Sequence, residues 1–98
     1  MPIQDNERRD DVFLLLRNAL DDVRIYASRL EKYISEEVHD QYTLKMACSY
    51  YNRLSIMTMN AKIKAARENR ELILTDHDEK LETLYLSLVS LGGNKYFS

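Results

Sequence analysis

Residues 35–43 read SEEVHDQYT, and whether the chain reverses within them decides between a compact bundle and a rod. Helical patterning runs from about residue 6 to about residue 71, and neither Gly nor Pro breaks this stretch. On its N-terminal side Val12, Leu16, Ala19, Val23, Tyr26, Leu30 and Tyr33 recur at alternating steps of four and three, which is a helical seam. Phe13, Leu20, Ala27 and Ile34 widen that seam beyond what a two-stranded coiled coil uses. On the C-terminal side Ala47, Tyr50, Leu54, Met57, Ala61 and Ala65 form one apolar row. Cys48, Ile56, Met59, Ile63 and Ala66 form another, as in a helix packed on two neighbours.

Continuing the first seam through the stretch would put Glu37 and Asp40 at interface positions, which a coiled coil tolerates poorly. Asp40 or Thr43 can instead cap a new helix. The seam does resume in register at Leu44, Ala47, Tyr51 and Leu54, as an unbroken helix would show. Such a rod would measure roughly 100 Å at about 1.5 Å per residue and would need a partner along its whole length. A reversal lets the wide stripes bury one another, so the expectation is a hairpin.

Beyond it, Thr75 stands three residues before Asp78, a spacing that resembles a capping box with Asp in place of Glu. Leu81, Leu84, Tyr85, Leu88 and Leu91 repeat at helical spacing until Gly92 and Gly93, which suit a left-handed helix end. At the other end of the chain, Asp5 or Asn6 offers the first cap. The predicted fold is all-α: a three-helix antiparallel bundle with helices over about 6–39, 43–70 and 76–91. It forms a single domain over 1–98, with 1–5 and 93–98 as loosely packed ends.

The totals support this class. Hydrophobic residues make up 45% and charged residues 31%, with one Pro and two Gly, a composition poor in the turns a sheet requires. A net charge of −2 supplies no overall field to draw phosphate backbones or anionic lipid. The start of the chain lacks the basic and apolar regions of a signal peptide, and no apolar run approaches membrane-spanning length. The expected location is cytoplasmic, with no membrane partner. Cys48 is the only cysteine and is expected to be a small buried side chain.

Few constellations carry chemistry. Glu36 and His39 have the Glu-x-x-His spacing of di-iron bundles, but those need two such pairs and further Glu residues, so a solvated turn is expected. His77, between Asp76 and Asp78, is expected to be exposed in the first turn of the third helix. Arg17 and Arg24 fall on the polar flank of the seam and should reach water rather than a substrate pocket. No Gly-rich phosphate loop, nucleophile elbow or Cys-x-x-Cys pair occurs. No catalytic residue, cofactor or metal is expected.

Seven tyrosines in 98 residues point to a rim or interface, because a buried ring still needs a partner for its hydroxyl. A third helix of about 16 residues covers about 24 Å, roughly half the length of the first. The end of the hairpin nearest its turn is then expected to lie uncovered. Val23, Tyr26, Ala27, Leu30, Tyr33 and Ile34 on one helix, with Met46, Ala47, Tyr50, Tyr51 and Leu54 on the other, would form a partner-binding patch there. The chain's own NKYFS tail, a second copy forming a homodimer, or another protein is expected to cover it. The function expected is a protein-binding regulator, inhibitor or adaptor. The alternative is RNA binding by Arg53, Lys62, Lys64, Arg67 and Arg70, with Tyr50 and Tyr51 for stacking. Two spacings weaken it, since Lys64 faces Glu68 and Arg67 faces Glu71 four residues on.

Overall fold

The computed structural model describes residues 2–69 and 74–97, with the backbone alone over 2–16. The chain is a three-helix bundle: α1 (Pro2–Glu36), α2 (Gln41–Arg67), α3 (Thr75–Ser90), then a short 3-10 turn, Gly93–Tyr96. The described residues contain no strand, and the molecule measures 59 × 21 × 20 Å.

The reversal lies where the quoted stretch suggested. The last bond of α1 runs from the Glu37 amide to the Tyr33 carbonyl, 2.8 Å, and α2 starts at Gln41. Asp40 is the cap: its backbone is extended, and its Oδ1 accepts from the Thr43 amide at 2.7 Å. Thr43 answers, its hydroxyl oxygen accepting from the Asp40 amide at 3.1 Å and the His39 amide at 3.0 Å. This is a capping box in which Thr takes the position usual for Glu, so donors that no helical carbonyl can reach are satisfied locally. These bonds favour the ionised carboxylate, and Asp40 is held below the usual range, chiefly by the Thr43 amide and then its hydroxyl.

The helix bounds differ from expectation at several ends. The first helix begins at Pro2, not near residue 6; proline suits a first position, where its missing N–H is not needed. It stops at Glu36 rather than 39, because residues 37–40 form the turn and cap. The second ends at Arg67, where Asn69 takes a left-handed φ of 56° that asparagine tolerates. Residue 70 lies outside the described residues. The third starts with Leu74 as its cap residue, and the Thr75 capping box does not form. Leu74 is buried, and the Asp78 carboxylate is held instead by Lys62 at 2.8 and 3.0 Å.

The core gathers Val23, Ala27 and Leu30 of α1, Leu44, Ala47, Cys48 and Leu54 of α2, and Leu81, Leu84 and Leu88 of α3. Along α2, Thr58 meets His77, Tyr51 meets Tyr85, Cys48 meets Gly93 and Gln41 meets Tyr96. Helix α3 and the tail therefore run antiparallel to α2 up to the first turn. Residues 93–97, expected to be loose, are packed. Gly92 supplies the positive φ, 96°, that turns the chain out of α3, as expected of a helix-ending glycine. Gly93 serves close approach: a Cβ there would lie 2.7 Å from Cys48 Sγ and 2.8 Å from the Leu88 carbonyl oxygen.

Gly93→Ala should therefore destabilise the protein by about 1–3 kcal/mol in urea titration, the usual cost of overpacking. Cys48→Ala in that background should restore only part of the loss, because the Leu88 obstacle is backbone. Full recovery would show that the tail is not seated on α3.

Candidate docking surface

The eleven residues expected to form a partner patch separate into three groups. Val23, Ala27, Leu30, Ala47 and Leu54 are at most 1% exposed, so they are the bundle's own core and no partner can reach them. Tyr26, Tyr33, Ile34, Tyr50 and Tyr51 are half-buried against that core. Met46 alone is exposed. Of the covers expected for the hairpin end, the chain's own tail is the one that lies on it, along the α2 side. Phe97 packs on Tyr51 and Tyr85 with ring centroids 5.5 and 5.0 Å apart, and the Tyr96 hydroxyl donates to Gln41 Oε1 at 2.8 Å. Away from the tail, Tyr26 and Tyr50 pack on each other, 5.4 Å between centroids.

The apolar surface the fold leaves open lies elsewhere. Ile56, Met59 and Ile63, spaced by three and four, form one stripe of α2 and are 59%, 59% and 46% exposed. Among the described residues no helix lies over them, although the sequence suggested a second packed row. Beside the stripe runs a furrow of about 520 Å³ between α1 and α2. Ala19, Asp22 and Val23 line it from α1, and Met57, Ile63, Lys64 and Arg67 are among its α2 lining.

Helix α2 carries Lys45, Arg53, Lys62, Lys64 and Arg67 and no acidic residue. Lys62 is paired with Asp78 at 2.8 Å. Among the described residues Arg53, Lys64 and Arg67 have no ion-pair partner, so the expected Lys64–Glu68 pair does not form. Glu68 is already the cap residue, with φ −93° and ψ 14°, and leaves the helical path that would bring it over Lys64. Glu71, proposed for Arg67, and Arg70 lie outside the described residues.

Burial pushes the Cys48 thiol up, which keeps it a neutral core side chain. His77 is 4% exposed, contrary to the expectation of a solvated residue. Its Nε2 lies 2.9 Å from Thr58 Oγ1, and that hydroxyl donates to the Leu54 carbonyl at 2.9 Å. With the hydroxyl proton on that carbonyl, the imidazole donates through Nε2–H. His39, in contrast, is exposed in the turn, its Nδ1 2.6 Å from the Glu37 carbonyl. Among the described residues no cluster of His, Cys, Asp or Glu could hold a metal ion, and no helix is long and apolar enough to cross a membrane.

Compared with known protein families, curated proteins and solved structures, the chain matches none.

Burial lowers the His77 pKa, Asp78 opposes this, and Arg24, Lys62 and Lys80 add to the lowering. Its stabilising contribution is complete above the ordinary histidine value near 6.5. It is lost as pH falls from there through the lower folded value, where the unfolded chain binds the proton first. Urea stability should fall between pH 7 and pH 5, and the fall should be smaller in His77→Gln. Equal slopes for the two proteins would contradict the buried neutral ring.

Proposed function

We propose that the protein is a small helical protein-binding module that acts as a regulator, inhibitor or adaptor of a larger protein or complex. The observation that carries this reading is the outer face of α2. There Ile56, Met59 and Ile63 stand about half exposed beside Arg53, Lys64 and Arg67, cations with no ion-pair partner among the described residues. A lone exposed aliphatic side chain needs no explanation, but a helical row of three beside a furrow has the form of a contact. Covering half of each would contribute about 1 kcal/mol per residue, while association itself costs about 4–15 kcal/mol. The row is thus an anchor within a wider interface.

A homodimer would cover a tyrosine patch that the tail already covers in part, through Phe97 on Tyr51. A partner of different sequence fits better, because two α2 faces brought together would oppose cations with no carboxylate on either. The reading places the protein in the cytoplasm, where a single unpaired cysteine needs no oxidised partner.

The second reading is RNA binding, favoured by the basic residues and absence of acidic ones along α2. The aromatic part of that reading is weaker. Tyr50 packs on Tyr26 and Tyr51 on Phe97, which leaves aliphatic rather than aromatic side chains between the cations.

Affinity purification from cells that make the protein should recover a partner in stoichiometric amount, and Ile56→Ser/Ile63→Ser should lose it with unchanged helix content. Equal recovery by both proteins would end the first reading. A gel shift with single-stranded RNA at low salt should show no complex. A band abolished by Lys64→Glu/Arg67→Glu would move the assignment to the second.

A further inference from the structure

The proposed docking face has a shape and a charge that narrow its occupant. The furrow is concave, walled by two helices, and its lip on α2 is Ile63, with Met59 and Ile56 continuing along the same stripe. A helix, about 10 Å across, can lie along the stripe and set one edge at the mouth of the furrow, whereas a flat bilayer does not reach into it. Lys64 and Arg67 stand in its wall and Arg53 lies further along α2, so the α2 side is cationic throughout. Asp22 on the α1 wall is the only carboxylate among the described lining residues. It turns anionic groups toward the α2 side, which fixes which edge of an incoming helix carries charge.

Among the described side chains a second copy of this chain supplies no such helix. The exposed faces of α1 and α3 offer one large apolar side chain each among the described residues, Ile25 and Leu86, and α2 is itself cationic. Resting on the protein-binding reading above, we propose that the outer face of α2, with the furrow at its edge, receives an acidic amphipathic helix of another protein. Apolar side chains at i, i+3 or i+4, and i+7 pack on Ile56, Met59 and Ile63, and Asp or Glu residues along one edge meet Arg53, Lys64 and Arg67.

The test is selection of binders to the intact chain from a displayed library of randomised 18-residue helical peptides. Recovered peptides should be rich in Asp and Glu along one edge of an apolar stripe. Binding should weaken about tenfold or more with Ile63→Glu and fall as salt is raised. Lys64→Glu/Arg67→Glu should reverse the preference toward basic peptides, an inversion that mere loss of folding does not produce. Circular dichroism of each variant checks the fold.

Peptides that depend on Ile63 but show no acidic excess would overturn this inference and leave the protein-binding reading standing. No recovered peptide, or peptides indifferent to Ile63→Glu, would overturn both. Co-sedimentation with vesicles containing phosphatidylserine, lost in Ile63→Glu, would assign the face to a membrane instead. A concentration-dependent dimer lost in the same variant would assign it to a second copy. Either result overturns the inference.

Discussion

The fold depends on a reciprocal pair of hydrogen bonds at one point in the chain. Asp40 and Thr43 bond each other's amides, and the hydroxyl of Thr43 also takes the His39 amide. Without them the apolar seam that stops at Ile34 and resumes at Leu44 is compatible with one continuous helix. Periodicity cannot separate these outcomes, because both place the same residues on one stripe. The cap does, by offering the amides of residues 39, 40 and 43 partners that exist only if α1 has ended. Once the chain reverses there, the wide stripes of α1 and α2 face one another and need no second polypeptide.

Reversal creates a second requirement. Helix α3 spans about 24 Å against about 40 Å for α2, so it cannot cover the hairpin alone. The tail supplies the remainder. Gly92 turns it, the missing side chain of Gly93 lets its backbone sit against Cys48 and Leu88, and Phe97 fills the space between Tyr51 and Tyr85. The tyrosines of this region are rim residues of an internal core. Their abundance reflects half-burial, where a ring packs while its hydroxyl stays near water.

The three helices and their order were legible because each has a long apolar period and a chemically specific end. The tail was legible only as one of several candidate covers, since a six-residue segment has no period and its seating depends on two particular contacts. His77 was misjudged by residue type, although it stands four residues before Leu81 on the spacing that continues to Leu84 and Leu88. Thr58 likewise stands four residues after Leu54 and three before Ala61, all buried. Two polar residues at core spacing on neighbouring helices are a signal of a buried pair. The candidate site was legible only in part. The apolar row of Ile56, Met59 and Ile63 was visible, but whether a row faces a neighbour or water depends on where α3 lies around α2. That angle is set by packing and is absent from the pattern.

Stability and the proposed recognition draw on different faces of α2. Its inner face carries Leu44, Ala47, Leu54, Ala61 and Ala65, each almost fully buried, and their loss would open cavities. Its outer face contributes little to folding, since half-exposed side chains bury little area and exposed ion pairs such as Lys62–Asp78 are worth about 0–1 kcal/mol. Charge is also segregated: α2 is wholly basic, while α3 bears Asp76, Asp78, Glu79 and Glu82 against Lys80. Intramolecular pairing uses Lys62 and leaves Arg53, Lys64 and Arg67 unmatched among the described residues. A face of aliphatic and cationic side chains that the fold does not require exposes apolar area to water and offers three cations to an opposite charge. Both features would be satisfied at once by the proposed partner surface, apolar along its centre and acidic along one edge.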